Sequence, residues 1–310
     1  MMKLDGIAAF AAVAESGSIS AAALRMALSK SVVSDRLAEL ERALGTRLLQ
    51  RTTRKLSLTE DGAAFLVRAQ RMLRETEAAM AELAERRGTL AGPLRLSAPV
   101  SFGTLHLGPA LYPFLAAHPG IELALDLEDR FVDVAAAGYD AVLRHGPIRD
   151  DRLVARRLAA SRRLLVAAPA HLARHGAPGS LPELGQGRAI LYANRGNDWA
   201  FTGPEGTVVV RPRAALRVNN GIVMRDAALA GLGIALLPAF LVHDELRDGR
   251  LCALDVGHEA EGADIYMAHP RQRGPSAKLD ALVASLRRAF GDPPYWDTLP
   301  PAGRGRSPLG

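Results

Sequence analysis

Apolar residues at the start of the chain recur at helical spacing, with Leu4, Ile7, Phe10, Ala11 and Ala14 on one face of a first helix. Gly17-Ser18 punctuates this pattern, and Ser20 offers an N-cap to "AAALRMAL", which predicts a second helix over about residues 20 to 28. After Ser29-Lys30-Ser31 a third stripe begins. Val33, Leu37, Leu40 and Leu44 follow at intervals of four, three and four, and Gly45 stands where that helix should end. At about 100° per residue, the face opposite the stripe carries Ser31, Asp35, Ala38 and Arg42, flanked by Ser34 and Arg36. "RLLQRTTRKLSLT" then alternates Leu56 and Leu58 with polar positions and gathers Arg51, Arg54 and Lys55 near a turn, the pattern of a small hairpin, or wing.

A long helix follows, from about Glu60 to Arg87, with Thr59 as N-cap and Glu60 and Asp61 placed to complement its dipole. Gly62, Phe65, Ala69, Met72, Thr76, Ala79 and Leu83 alternate by three and four, and Leu66, Leu73 and Met80 widen the seam. At ~1.5 Å per residue such a helix runs roughly 40 Å with a single apolar stripe. Its partner is then a second copy of the chain, or else the helix lies on its own domain.

Gly92-Pro93 ends that helix, and beyond it strands and helices alternate: "LRLSA", a helix over Leu105 to Leu115, "IELALDL", a helix over Phe131 to Ala137, then "YDAVLR". A second set comprises "RRLLVAAP", "AILYA", "AALRV", a helix through Met224 to Gly231, "GIALLP", "DIYMAHP" and a helix from Ser276 to Phe290. Alternation of this kind predicts parallel α/β sheets with helices on both faces, and two sets predict two lobes with a cleft between them. The remainder, "GDPPYWDTLPPAGRGRSPLG", lacks periodicity and reads as a disordered tail over 292–310.

Composition sharpens this picture in one place. The 310 residues are 48% hydrophobic and 23% charged, ordinary for a globular protein, with a formal net charge of +6. Between Arg25 and Lys55 eight basic residues meet only three acids, so the cationic surplus is concentrated in the helical N-terminal segment and suits an anionic partner. The single cysteine, Cys252, leaves no intrachain disulfide and no cysteine cluster for zinc, and fits a reducing compartment. "MMKLDGIAAFAAVAES" has the outline of a signal peptide, but helical spacing between Asp5 and Glu15 accounts for it better. The longest uncharged apolar run, Ala227 to Val242, is interrupted by Gly231, Gly233 and Pro238, and falls short of the ~20 residues of a membrane span.

Catalytic motifs are missing: no P-loop, no G-x-S-x-G and no H-E-x-x-H occurs. "GLGIAL" at 231 lacks the third glycine of a dinucleotide fingerprint and suits a helix-to-strand turn. His243, Asp244 and Glu245 are adjacent, which on a helix spreads them in different directions, as on a solvated face. No catalytic residue, metal ligand or cofactor is therefore expected.

Phe10 to Gly62, "FAAVAESGSISAAALRMALSKSVVSDRLAELERALGTRLLQRTTRKLSLTEDG", resembles the DNA-binding region of LysR-type transcriptional regulators. The likeness includes Ser-x-Ser before two alanines, Ser34, Leu40-Glu41, Gly45, Arg51 and the Leu-Thr-x-x-Gly run from 58 to 62. It extends through the long helix into "YDAVLRHGPIRDDRLVARRL", "AAPAHLARHGAP" and "AALAGLGIALLPAFL". The resemblance implies an all-α winged helix-turn-helix domain over 1–58 and a dimerising linker helix over 59–91. It implies next a two-lobed, periplasmic-binding-protein-like α/β effector domain over 92–291, in a protein that assembles as a dimer or a tetramer.

A helix after a short turn can enter the major groove with its N-terminal residues at base edges. Ser29, Lys30, Ser31, Ser34, Asp35 and Arg36 are then the candidates for contact with double-stranded DNA. Lys30 and Arg36 suit guanine edges or phosphates, with solvated charge as the alternative, and Ser29 and Ser31 are also explained in part as caps. Arg51, Arg54 and Lys55 suit phosphate or minor-groove contact, although Arg51 can instead brace the hairpin. Asp35 departs from the family, which often has a basic or polar residue there. Its carboxylate can accept from cytosine N4 or simply favour the helix N-terminus.

For the effector, the turn "SAPVSFG" offers backbone N–H groups and the Ser101 hydroxyl to an anion, and the family places ligand contacts there. Ser101, Phe102, Arg144, His145, Tyr192 and Asn194 stand where a cleft between α/β lobes lies, with core packing for Phe102 and a salt bridge for Arg144 as alternatives. The reading is of a cytoplasmic, sequence-specific DNA-binding regulator, with no membrane association, controlled by a small, anionic metabolite. A solute-binding protein is the alternative, and an enzyme the third reading.

Overall fold

Three short helices form where expected: α1 (Leu4–Ser16), α2 (Ile19–Arg25) and α3 (Lys30–Leu44). The expected stripe is buried in α3, whereas α1 also buries Ala9, Ala12 and Val13 and leaves Leu4 exposed. The computed structural model describes residues 3–51, 56–85, 90–130, 138–146, 148, 150–194, 196–203, 206–262, 264–271 and 276–297. α2 begins earlier than expected. Its cap is Ser18, in extended backbone, whose hydroxyl accepts from the Ser20 and Ala21 N–H groups at 3.2 and 3.5 Å, while Ser20 lies inside the helix. α1 and α3 end at Gly17 and Gly45, whose φ values of 64° and 70° lie in the left-handed region that glycine enters without strain.

Strands β1 (Leu49–Arg51) and β2 (Leu56–Leu58) pair antiparallel as the hairpin, with Leu49 opposite Leu58. α4 (Glu60–Glu85) follows, and the last expected turn, to Arg87, falls outside the described residues. Phe10, Val13, Ala22, Val33, Leu37, Leu40, Leu48 and Ala69 form one buried core shared by the four helices. α1 and α3 pack closely at Gly6, where a methyl group would sit 3.1 Å from the Arg36 carbonyl oxygen and 3.3 Å from Leu40 Cβ. Val67, Met80 and Leu83 on α4 remain exposed.

The chain divides after Gly92 into two compact units, and the second contains two five-stranded sheets. Its elements begin with β3 (Gly92–Ala98), α5 (Val100–Phe102), a π-helical turn (Gly103–Leu107), α6 (Gly108–Ala117), β4 (Ile121–Leu127), β5 (Ala141–His145), β6 (Leu153–Ala159) and β7 (Arg163–Ala167). Next come α7 (Pro169–His175), α8 (Leu181–Gln186), β8 (Arg188–Tyr192), β9 (Trp199–Gly203), β10 (Gly206–Val210), β11 (Arg213–Val218), α9 (Gly221–Leu229) and β12 (Ile234–Pro238). The unit closes with α10 (Ala239–Arg247), β13 (Cys252–Leu254), β14 (Glu259–Ala260), β15 (Ile265–Pro270), α11 (Ala277–Phe290) and a 3₁₀ turn over Tyr295–Asp297. The helix expected over 131–137 lies outside the described residues.

The first lobe orders its strands β4-β3-β5-β15-β6 and the second β11-β8-β12-β7-β13, with a small β10-β9-β14 sheet beside them. The sheets are mixed, where parallel ones were expected. β3 pairs parallel with β5, and β8 pairs parallel with β11 and β12, but β15 and β7 run antiparallel to their neighbours. The reason is topological: β7 and β15 are the strands by which the chain enters a lobe from the other one, so each starts at the end where its neighbours finish.

Two further expectations change. Residues 292–297 are not a disordered tail: Trp296 is fully buried, and only 298–310 lie outside the described residues. His243, Asp244 and Glu245 do lie on a helix, α10, but Glu245 is buried and ion-paired to Arg225 and Arg250 at 3.6 and 3.4 Å, so this is not a fully solvated face. Among the described residues, no single helix is long and apolar enough to cross a membrane.

Candidate functional site

α3 divides its faces between packing and exposure. Val33, Leu37 and Leu40 are buried, while Ser31, Asp35, Ala38 and Arg42 are exposed, as is Lys30 at the first position; Ser34 is half-buried. Ser29 caps the helix by accepting from the Val32 N–H at 3.3 Å, and its hydroxyl lies 2.9 Å from that of Ser31. Arg36 does not join the outward face. It sits about 40° around the helix from Leu40, at the edge of the buried stripe, and its guanidinium pairs with Asp5 of α1 at 3.0 Å.

The hairpin is joined to α3 by a carboxylate. Glu41 Oε1 accepts from the backbone N–H groups of Leu48 and Leu49 at 2.8 and 3.1 Å, satisfying the chain where it leaves α3 for β1. Thr59 closes the far side: its hydroxyl donates to the Arg47 carbonyl at 2.7 Å and accepts from the Gly62 N–H at 2.9 Å. Arg51 lies in β1; its side chain, Arg54 and Lys55 lie outside the described residues.

In the second unit a cavity of about 170 Å³ opens between the lobes. Ser101, Arg144, His145, Tyr192 and Asn194 line it as expected, joined by Glu128, Asp129, Arg163, Trp199, Met224 and Phe240. Phe102 does not. Its fully buried ring packs edge-on against Phe240, Phe290 and Trp296, behind the cavity wall, so the core alternative holds for this residue.

The N–H of Val100, the first residue of α5, donates to Asp129 Oδ1 at 3.1 Å, so this chain's own carboxylate occupies a donor of the turn expected to face an anion. Asp129 also bridges the lobes, its carbonyl accepting from Asn194 Nδ2 at 3.0 Å and its other carboxylate oxygen from Asn220 Nδ2 at 3.5 Å. Arg144 donates to the Leu143 carbonyl at 2.7 Å and to the Ser97 hydroxyl at 3.3 Å, and no ion pair joins it to a carboxylate among the described residues. Burial lowers its pKa from the ordinary guanidinium value, with Glu128 the foremost opposing influence. His145 stacks on Phe240 with ring centroids 5.0 Å apart, giving the cavity an apolar wall beside the guanidinium.

Residues 4–63 match the bacterial regulatory helix-turn-helix protein, lysR family, and residues 87–291 match the LysR substrate binding domain. The chain belongs to the LysR family of regulators. A regulatory helix-turn-helix and a substrate-binding domain on one chain make this LysR-family protein a DNA-binding transcriptional regulator controlled by a small-molecule effector. PtxR of Pseudomonas aeruginosa, an HTH-type transcriptional regulator, is 33% identical to it over 298 residues, covering 95% of each chain. CrgA of Neisseria meningitidis is 36% identical over 253 residues, covering 81% of this chain and 84% of that one.

Solved LysR-type structures share the fold at full length. The Vibrio cholerae virulence activator AphB superposes with a TM-score of 0.59 at 29% identity, covering 92% of this chain and 98% of its own. Neisseria meningitidis CrgA does so with a TM-score of 0.56 at 31% identity, covering 92% and 96%. Sequence reasoning about this regulator missed Glu41 as the tie between α3 and the hairpin, although the Leu40-Glu41 pair was a signal. It also missed Asp129, which directly follows the β4 segment and Glu128.

Proposed function

We propose that this regulator reads its operator, in the cytoplasm, with the exposed face of α3, and shifts its grip when a small anion with an apolar body enters the interlobe cavity. Lys30, Ser31, Ser34 and Asp35 are the base-edge and phosphate contacts of that reading, with Arg51, Arg54 and Lys55 on the backbone beside them. Arg36 is assigned instead to bracing α1 against α3. The exposed Met80 and Leu83, neighbours on one face of a 26-residue helix, support pairing of α4 with a second copy.

The observation that carries the anionic reading is Arg144: a half-buried guanidinium, turned toward a cavity whose other walls include Trp199, Met224 and Phe240, without a carboxylate ion pair among the described residues. A thermal-shift screen of small carboxylates and phosphates alongside neutral and cationic metabolites, against wild type and Arg144→Ala, tests it. Stabilisation by an anion that weakens at least roughly tenfold in affinity with Arg144→Ala supports the reading, since a charge-assisted hydrogen bond contributes about 1.5–3 kcal/mol. Hits confined to neutral or cationic compounds would overturn it. Binding one arrangement of the oligomer more tightly than the other is what lets such a ligand change the DNA footprint.

A further inference from the structure

The segment after α11 returns to the junction between the lobes and touches both. The chain crosses from β6 to β7 through Ala160, Ser161 and Arg162. Trp296 Nε1 donates to the Ala160 carbonyl at 3.1 Å, and Arg162 donates to Asp297 twice, to Oδ1 and to the backbone carbonyl, each at 3.3 Å. Both ends of this crossover are thus held by Trp296 and Asp297. On its other side the Ser161 N–H donates to Asp264 of the returning crossover at 3.2 Å, and the buried Ser161 hydroxyl has no partner among the described residues.

The same segment reaches the cavity wall. The Tyr295 hydroxyl lies 2.5 Å from His106 Nδ1, in the π-helical turn of the first lobe, and His106 Nε2 lies 2.9 Å from the carbonyl oxygen of Phe240, in the first turn of α10. Trp296 packs between Phe290 and His106 with ring centroids at 5.3 and 5.1 Å. Phe240 lines the ligand cavity, so Tyr295–His106–Phe240 is a continuous path from the C-terminal segment to that wall. The substrate-binding domain match ends at Gly291, just before these residues.

We propose that Tyr295, Trp296 and Asp297 are positioning residues of the effector cleft. Their strap holds the crossover between lobes and sets the Phe240 wall through His106, and its seating governs how readily the cleft opens. This rests on the cleft being the effector site, but its test needs no ligand.

The chain has two tryptophans, Trp296 in the strap and Trp199 in the cleft wall, where it is 7% exposed. Any substitution of Trp296 in the full-length protein therefore leaves Trp199 as the sole tryptophan, and acrylamide quenching of its emission, excited at the red edge where tyrosine does not absorb, reads cleft opening. Trp296→Phe, which keeps an aromatic ring, gives up only the bond to the Ala160 carbonyl and leaves the Tyr295–His106 contact and the Arg162–Asp297 bonds in place, so it should quench slowly. Trp296→Ala should quench at least roughly twofold faster, as should Trp296→Phe combined with Tyr295→Phe, which removes only the hydroxyl, because local opening exposes the wall without global unfolding. The helical circular dichroism signal should stay unchanged in the double variant. Equal quenching in Trp296→Phe and the Tyr295→Phe double variant would overturn the proposal, and the comparison holds even if Trp296→Ala fails to fold. A negative anion screen with faster quenching would sink the effector reading and leave the strap standing.

Discussion

A methyl group added to Gly62 would lie 1.9 Å from the Leu48 carbonyl oxygen, closer than any rotamer change can relieve. Backbone would have to move where the hairpin enters α4, and overpacking of this kind costs roughly 2–3 kcal/mol. Gly62→Ala should therefore lower the thermal midpoint of the DNA-binding unit and weaken operator binding in proportion, checked by calorimetry and gel shift on the same samples. Asp35 presents the opposite case, an exposed side chain whose substitution should leave the fold alone. Asp35→Ala on a panel of operator variants should abolish discrimination at one base pair, by about 1–3 kcal/mol, if its carboxylate accepts from cytosine. A preference that does not change leaves a solvated carboxylate, since Asp35 lies beyond the first turn of α3, which holds no acid. Arg36 shows what residue type and sequence position leave out: its cationic side chain flanks the exposed face, and its roughly 40° offset from Leu40 brings its guanidinium to Asp5.

At the scale of elements, local periodicity made α3 and the first half of α4 legible, since each buries one stripe there, whereas α1 is buried almost all round; Gly45 and Thr59 mark boundaries with chemistry that acts within a single turn. The cap of α2 was misplaced by two residues because Ser18 and Ser20 are chemically equivalent there and only the backbone at Ser18 decides. β6, β9, β10, β13 and β14 escaped notice for a different reason. β13 and β14 span three and two residues, and β10 is exposed along most of its length, so no alternation of burial advertises it. The antiparallel course of β7 and β15 depends on where the chain changes lobe, which no window of neighbouring residues records. α4 supplies the prediction proper to this scale: Met80→Glu with Leu83→Glu should convert the protein to a monomer in sedimentation experiments. The same pair should reduce operator affinity, because it charges the exposed part of the stripe without touching the core.

Across the whole molecule, the cleft was legible in outline because strand ends of an α/β sheet converge on it, and five of six candidate residues line it. Its cross-lobe bonds were not, since Asp129 meets Asn194 and Asn220 only after both lobes have formed. His106 gives this assembly a pH dependence. Burial, more than any other influence, lowers its pKa to about 4 from an ordinary 6.5, so the folded protein keeps it neutral while the unfolded chain takes up a proton. Stability therefore falls as pH drops from about 6.5 toward 4, by as much as about 3 kcal/mol from this group. Denaturant titrations across that window should show a steeper loss for wild type than for His106→Gln, and parallel curves would count against the assignment. The exposed row on α3 has a consequence of another kind. Ser31, Asp35, Ala38 and Arg42 contribute nothing to the buried core, whereas Val33, Leu37 and Leu40 do. Mutations can accumulate in that row without passing through an unfolded ancestor. A duplicated copy of this gene could thus drift to a new operator while retaining its old architecture, one substitution at a time.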